Sequence, residues 1–441
     1  MRLPFSASGR VNGTTGETSA TPAITGEMPV PQIRLPSRQL FCWPWFSLAL
    51  FVLMASTGGV AIRPHVWAWY HRREARVELQ RYHTPQAIRH LLICRAIWPH
   101  DAETLLLAAR AARRARIYGD SEHLLRDYRQ VHGCDEAYIF ERLLLTTECC
   151  IDEVANLCWQ YVEKGRFDTA LLLEALTRGY LRQYRLSQAQ HCLNYWRQIQ
   201  PDNSQIFYLQ GLLALDYIHD CYHGEENFRY ALELDPDHEE ARLGLAMALL
   251  MGKNFAQAAE HFKHLLQCQP DNLRVQVSLA ECLDGLGQHT EAEQLVDAVL
   301  ARQPECAAAL SLRGQLAFQS GQLGKAENWL RHALRRNPMD HRARYSLVVC
   351  LEQIGQQEEA QQQRRYLQQL EDDTLRFHEI VTKGIAKNPT DPYLHYTLGQ
   401  ILLRSGQHEE GIRWLWNALR LDPYYAPAQK ALTDYLNQTK G

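Results

Sequence analysis

The chain of 441 residues is longer than one ordinary globular core, so it predicts either several domains or an elongated array of repeats. Its formal net charge of -3, with 22% charged residues, argues against a basic nucleic-acid-binding surface or an acidic tail as a global feature. Its twelve cysteines are scattered through helical patterns, which favours reduced, mostly buried thiols over a disulfide framework.

The N-terminal region divides into a polar and an apolar part. Residues 1–39 are rich in Thr, Ser, Gly and Pro without a helical or strand period, so they are predicted to form a disordered tail. Residues 40–62 contain no charged side chain, and a helix of this length can cross the roughly 30 Å of bilayer hydrocarbon. Aromatic residues typical of membrane interfaces flank it, namely Trp43, Trp45, Trp67, Trp69 and Tyr70. The segment is predicted to be a single-pass transmembrane helix.

Two alternatives remain open for residues 40–62. The segment could be a cleaved leader, with Gly59, Val60 and Ala61 as the cleavage site, although its apolar run exceeds that of an ordinary signal peptide. It could also be a buried helix of a soluble core. Arginines are more numerous after the segment than before it, so the positive-inside rule predicts cytoplasmic repeats, whereas a leader would make them periplasmic or extracellular.

From about residue 68 onward, amphipathic helical patterns recur, and the clearest of them have a period of 34 residues. The period is carried by Gly287, Gly321 and Gly355, by Ala258, Ala292, Ala326 and Ala360, and by Pro236, Pro270, Pro304 and Pro338. Glycine supplies the left-handed residue that ends the first helix, and proline ends the second. A fixed period of this length indicates an array in which each repeat contacts its neighbours.

The repeats differ in regularity along the chain. The predicted blocks are degenerate repeats at 68–203, regular repeats at 204–372, a half-repeat helix at 373–390, and a last repeat with a capping helix at 391–437. The half-repeat is predicted because Pro338 and Pro389 lie one and a half periods apart. The unit at 204–238 has one extra residue in the turn between its helices.

On these residues the chain resembles the tetratricopeptide repeat family, strongly over 204–372 and 391–424 and weakly before. In one unit the resemblance rests on Leu310, Gly314, Ala326, Ala333 and Pro338. It implies an all-α fold, a right-handed superhelical solenoid of about ten antiparallel helix pairs after one transmembrane helix, with a long concave face. The chain departs from the family pattern at Arg313 and Asp372, where leucine and proline are usual.

The resemblance also implies which side chains would meet a ligand, because the family's ligand contacts come mostly from set places on the first helix of each unit. The residues predicted to line the concave face and bind a peptide or protein partner are Leu243, Met247, Met251, Val277, Glu281, Asp284, Gln315, Phe318, Arg342 and Tyr345. Methionine and aromatic side chains suit adaptable peptide binding. The competing interpretation is that many of them only pack between neighbouring helices. The family's basic clamp for a C-terminal carboxylate is not supplied at these places.

The sequence contains only weak candidates for a metal site or a catalytic site. The two clusters of metal-ligating side chains are His219, Cys221, His223 and Glu225 in one turn, and His261, His264 and Cys268 on one helix face. Neither has the spacing of a structural zinc site, and Cys149, Cys150 and Cys158 form no CxxC motif. Walker A, dinucleotide, nucleophile-elbow and HExxH motifs do not occur. We therefore expect no catalytic residues, no cofactor, no metal, no nucleic-acid partner and no small-molecule substrate.

These patterns together predict a membrane-anchored scaffold or adaptor that recruits a protein or peptide partner through its concave face. The alternative is an exported periplasmic or surface protein in envelope assembly, with residues 40–62 as its leader. The recruiting part of a modification enzyme, such as a glycosyltransferase, is a third interpretation. It is disfavoured because the helical array takes up nearly every residue after the apolar segment.

Overall fold

The computed structural model describes residues 63–438, and the predicted tail and transmembrane segment lie outside this range. All the described residues belong to one compact unit. Every regular element within residues 63–438 is helical. Over this same range, no helix is both long enough and apolar enough to span a membrane.

The helices follow one another as antiparallel pairs, each with a first helix, A, and a second, B. The first five pairs are α1 (63–80) and α2 (Thr84–Ile97), α3 (Ala102–Arg114) and α4 (Tyr118–His132), α5 (Glu136–Cys149) and α6 (Ile151–Lys164), α7 (Thr169–Arg182) and α8 (Leu186–Ile199), and α9 (Ser204–Leu212) and α10 (Cys221–Leu234).

The next four pairs are α11 (Glu239–Met251) and α12 (Phe255–Cys268), α13 (Leu273–Gly285) and α14 (His289–Arg302), α15 (Ala307–Gln319) and α16 (Leu323–Arg336), and α17 (His341–Ile354) and α18 (Gln357–Glu379). After the short α19 (Ile385–Lys387), the last pair is α20 (Pro392–Arg404) and α21 (His408–Leu421), followed by α22 (Ala426–Gln438). A and B pack within each pair, and several A helices pack on the next A helix. The predicted all-α solenoid of helix pairs is confirmed.

Side-chain caps set the start of most A helices. In α13 the side chain of Asn272 accepts a hydrogen bond from the backbone N–H of Val275, and in α17 Asp340 accepts one from Ala343. Such caps satisfy N–H groups in the first turn that have no partner within the helix. The polar residue that follows the unit-ending proline therefore marks where the next A helix begins.

Most turns from A to B contain one residue with positive φ. Four of these turns use glycine with φ between 72° and 89°, at Gly287, Gly321, Gly355 and Gly406. Other turns hold a larger residue with φ between 55° and 64°, namely Tyr82, Arg116, Tyr184, His219 and Lys253. The left-handed conformation costs an L-residue about 1–2 kcal/mol. The non-glycine turns therefore carry backbone strain that the glycine turns avoid.

Small residues occupy the places where A and B cross closely. The periodic alanines Ala258, Ala292, Ala326 and Ala360 are buried. At Gly314 of α15, an added Cβ would lie 2.7 Å from Cγ of Leu330 in α16. This is closer than a packed interior allows, so a larger side chain would push the two helices apart.

The extra residue of the unit at 204–238 is absorbed by a helical irregularity. The π-helical segment Leu213–Ile218 extends α9, and the backbone N–H of Asp220 donates to the carbonyl of Ala214 at 2.9 Å. A π-helical turn accommodates one additional residue without ending the helix. The insertion therefore changes the direction of the side chains at the end of α9.

The structure differs from the expectation of a separate half-repeat helix at 373–390. Helix α18 runs through residue 372 without a break and continues into the π-helical segment Ile380–Gly384 and then α19. The sequence between Gly355 and Gly384 contains neither glycine nor proline, so nothing ends the helix there. Helix B of the ninth pair and the expected half-repeat are one continuous helix.

Both ends of the array contact pairs that are distant in sequence. Near the N-terminal end, His83 lies between Glu78 and Asp235, at 2.7 Å from each carboxylate. This contact joins the turn between α1 and α2 to the turn between α10 and α11. The array is therefore not held together by neighbouring pairs alone.

At the other end, helix α21 packs against the turn between α7 and α8. Arg413 donates a hydrogen bond to the carbonyl of Arg182 at 3.1 Å. The ring of Tyr184 packs against Phe377 of α18 and Trp414 of α21, with ring centroids 5.1 and 6.0 Å away. We call these contacts the C-terminal closure.

Candidate functional site

The ten predicted groove residues all lie on A helices. Leu243, Met247 and Met251 are on α11, and the others follow on α13, α15 and α17. Met251 and Tyr345 are the most available apolar members, with exposed fractions of 49% and 62%. Arg342 is also exposed, and six others are half-buried, namely Leu243, Met247, Glu281, Asp284, Gln315 and Phe318.

Val277 has to be removed from the predicted groove. It is only 4% exposed and belongs to the apolar core beneath α11, α13 and α15. Its place on the A helix faces the neighbouring helices rather than solvent. Because a partner cannot reach a side chain that is packed in this way, Val277 supports the fold and offers no binding surface.

Polar members of the groove are linked across neighbouring pairs. Glu281 of α13 lies 3.4 Å from Arg342 of α17, and Gln319 of α15 donates to Asp284 of α13 at 3.3 Å. Burial raises the pKa of Glu281, although Arg342 opposes the shift. These contacts bring α13, α15 and α17 together along one polar strip.

The groove residues therefore fall into two groups. Leu243, Met247 and Met251 line a cavity of about 460 Å³, whereas the polar strip lies on later A helices. The cavity is also lined by residues outside the ten predicted groove residues. These come from α2, from the turn between α3 and α4, and from α7, α9 and α13, and they include Ile88, Arg116, Arg178, Leu215, Asp216 and Arg274.

A second cavity of about 340 Å³ adjoins the first, because Arg116 and Arg178 line both. Its other walls include Tyr184, Tyr217 and the start of α21 with Glu410. We call the two cavities together the arginine chamber. The C-terminal closure forms part of its wall, so the chamber depends on contacts between pairs that are far apart in sequence.

A buried ionic network lies behind the arginine chamber. Glu174 of α7 is fully buried and accepts hydrogen bonds from Arg114 at 2.7 Å and from Arg178 at 3.2 Å. Burial opposes ionisation of Glu174, but the two guanidinium groups outweigh it and lower the pKa to about 2. Glu174 is therefore a fixed negative charge that positions both arginines.

Two sequence signals could have pointed to the arginine chamber. Arg116 occupies a turn position that is glycine in four later repeats, and its φ is 62°. Asp216 and Tyr217 belong to the π-helical segment that absorbs the extra residue of α9. Departures from the repeat pattern thus coincide with side chains that line the cavities, as strained or irregular backbone often does at functional sites.

The two weak candidate clusters of metal-ligating side chains do not form a shared donor set in the part of the chain that the structure describes. Within residues 63–438, no group of three or more His, Cys, Asp and Glu side chains could hold a metal ion. His223 instead lies 2.6 Å from the carboxylate of Asp220, which caps α10.

Family models for tetratricopeptide repeats match the chain at residues 249–316, at 224–272 and 321–374, and at 381–413. The comparison with curated proteins found no match. Among solved structures, the chain is similar to a tetratricopeptide repeat protein from Parabacteroides merdae, with 14% identity, a TM-score of 0.34, and coverage of 65% of this chain and 99% of the other.

Two further similar structures have equally low identities. One is PilW, a type IV pilus biogenesis factor, with 20% identity, a TM-score of 0.40, and coverage of 46% of this chain and 93% of the other. Another is the Cut9–Hcn1 hetero-tetramer of the APC/C, with 12% identity, a TM-score of 0.39, and coverage of 86% and 88%. These values are too low to transfer a ligand or partner. The matching family models show tetratricopeptide repeats at residues 224–316, 321–374 and 381–413, which lie within the ten helix pairs of residues 63–438.

Proposed function

We propose that this chain is a scaffold that recruits a protein partner through the concave face of its A helices from α11 to α17. The observation that carries the proposal is the row of exposed and half-buried side chains from Met251 to Tyr345. Methionine and aromatic side chains lie there beside charged ones, and this combination favours binding of a peptide. The mechanism is binding, without a chemical step.

The second part of the proposal concerns the membrane. Residues 40–62 would anchor the scaffold as a single transmembrane helix, with the repeats in the cytoplasm. Support comes from the uncharged run, the flanking aromatic residues and the excess of arginines that follows. The alternative is an exported protein in envelope assembly, in which residues 40–62 are a leader.

N-terminal sequencing of the mature protein separates these two possibilities. An anchored protein keeps residues 40–62 and is extracted from membranes by detergent only. A mature chain that begins near Ile62 would eliminate the anchor and favour export.

The groove is tested by site-specific crosslinking in the native cell. A photocrosslinking amino acid replaces Tyr345 in the groove or, as the control, Tyr424, which is exposed in the turn between α21 and α22. We expect a discrete crosslinked partner from position 345 and none from position 424. Equal products from both positions, or none from either, would contradict the groove assignment.

A matched pair of variants then tests the side chains. Glu281→Lys with Tyr345→Ala changes the groove, whereas Glu291→Lys with Tyr424→Ala makes the same chemical changes at exposed sites outside it. We expect the first pair to reduce capture of the crosslinked partner at least about tenfold and the second to leave it unchanged. Circular dichroism checks that both variants remain helical.

A further inference from the structure

The arginine chamber combines positive charge with an apolar floor. Arg116 and Arg274 are both exposed and both line the larger cavity. Within residues 63–438, no carboxylate lies at ion-pair distance from either guanidinium. Asp216 lies close enough to attract both guanidinium groups, and Tyr217 accepts a hydrogen bond from Arg116, but neither arginine forms an ion pair of the kind that holds Arg114 and Arg178.

The buried arginines behind the cavity wall add to the excess of positive charge around the cavity. Arg114 and Arg178 share the single carboxylate of Glu174, so the three groups together carry one positive charge. Asp216 and Glu240 also line the cavity and supply negative charge. Counting Arg116 and Arg274, the larger cavity holds four arginines against three carboxylates, Glu174 included.

Asp216 is the carboxyl group whose charge acts on both exposed arginines. Burial raises its pKa, and the opposing influence of Arg116, Arg274 and His219 does not overcome that effect. The two guanidinium groups are nevertheless exposed on the cavity wall, where an acidic group of a ligand can compete with Asp216 for them.

Apolar side chains line the wall next to these arginines. Leu212, Leu215, Leu243 and Met247 line the larger cavity, and the exposed Met251 stands among them. Methionine adapts its shape to different apolar side chains. The cavity volume of about 460 Å³ leaves room for one large side chain and the polar group that follows it.

We propose that the arginine chamber binds a peptide segment in which an apolar residue is followed by an aspartate or glutamate. The apolar side chain contacts Leu243, Met247 and Met251, and the acidic side chain accepts hydrogen bonds from Arg116 and Arg274. Guanidinium groups bind carboxylates through charge-assisted hydrogen bonds, which a neutral amide cannot replace. This inference rests on the proposed function, because it assumes that the array binds a protein partner.

The test uses the full chain in detergent, immobilised, with two peptide pools. One pool contains eight-residue peptides with a randomised apolar centre followed by Asp or Glu, and the other has Asn or Gln in their place. Mass spectrometry measures how much of each pool is retained. We expect roughly tenfold more retention of the acidic pool, because the neutral pool loses one or two charge-assisted hydrogen bonds.

Variants assign the preference to the chamber. Arg116→Asn, which tolerates positive φ, together with Arg274→Gln should reduce the ratio to about one. Arg126→Gln with Arg197→Gln removes equal charge from exposed B-helix positions and should leave the ratio unchanged. Asp216→Asn should raise retention of acidic peptides, since it removes a competing carboxylate. A merely structural role of the chamber would not produce these opposite effects.

Each outcome decides one of the two proposals. If the acidic pool has no advantage, or keeps it in the arginine variants, the chamber inference is wrong even where position 345 still crosslinks a partner. If the arginine-dependent preference is found while position 345 crosslinks nothing, the chamber inference stands and the groove assignment fails.

Discussion

Arg420 of α21 donates a hydrogen bond from Nη2 to Oδ2 of Asp152 in α6 at 2.6 Å, although the two residues are 268 positions apart. Asp152 also pairs with Arg185 at 2.6 Å. Burial opposes ionisation of Asp152, but its two arginine neighbours outweigh it and lower the pKa. The last helix pair is thereby attached to the third and fourth pairs, and the C-terminal closure contains polar as well as aromatic contacts.

The first prediction concerns this attachment. Arg420→Ala should weaken the closure by about 1 kcal/mol, because it removes a charge-assisted hydrogen bond at a partly exposed site. Amide hydrogen exchange at residues 182–186 should then become about fivefold faster. Arg302→Ala is the control, since Arg302 pairs with Asp271 at 2.8 Å within neighbouring pairs. Equal exchange in the wild type and Arg420→Ala would contradict the closure.

The second prediction concerns the buried ionic network. Glu174→Gln should destabilise the fold by about 3–5 kcal/mol, because it leaves Arg114 and Arg178 buried without their shared carboxylate. Urea unfolding followed by circular dichroism measures the effect. Glu163→Gln, at an exposed position of α6, should change stability by less than about 0.5 kcal/mol.

The same network predicts an acid dependence. The folded-state pKa of Glu174 is about 2, below the ordinary value of about 4.3, so its stabilisation is present above that ordinary value. It should be lost as pH falls from about 4.3 to about 2. The stability difference between wild type and Glu174→Gln should therefore shrink on acidification. A difference independent of pH would refute the assignment.

The third prediction concerns His83, whose pKa is raised. Burial opposes the charged form, but Asp235 and Glu78 outweigh it through hydrogen bonds and charge. Because the folded-state pKa lies above the ordinary value of about 6.5, this contact stabilises the fold fully below that pH and is lost as pH rises through the raised pKa. Thermal unfolding at about pH 6 and about pH 8.5 should show a smaller pH effect in His83→Gln than in the wild type.

The fourth prediction concerns backbone strain in an exposed turn. Lys253 has a φ of 61°, and its side chain is exposed, so Lys253→Gly should stabilise the array by about 1 kcal/mol. Gly321→Ala, at a φ of 72°, should destabilise it by a similar amount. Thermal unfolding compares the two variants with the wild type. Shifts of the same sign in both would contradict the argument.

Much of the fold follows from local signals. The glycines at 34-residue spacing mark turns with positive φ, the alanines mark close helix crossings, and the prolines mark the ends of B helices in the regular repeats. Helix α18 continues past the expected boundary at residue 373 for an equally local reason, because no glycine or proline separates it from the next segment. The spacing between two prolines does not predict a helix end where no helix-breaking residue is present.

The candidate site was predictable only in part. Met251 and Tyr345 lie exposed on A helices, as the repeat pattern implies, but Val277 is packed in the core. Arg116 was not selected, because the repeat pattern describes its place as a turn and assigns it no partner. Its relation to Arg178 and Glu410 depends on which turns meet in space.

The sequence by itself determined the helices, their pairing and the repeat family, because each of these depends on residues within one or two periods of 34. The tertiary structure decided that α21 packs against α6, α7 and α8, that His83 reaches Asp235, and that Arg116, Arg178 and Arg274 line one cavity. Small rotations between successive pairs add up along a solenoid, and no single repeat encodes their sum. Contacts between distant pairs are set by that accumulated curvature, which is why the arginine chamber became visible only in the folded chain.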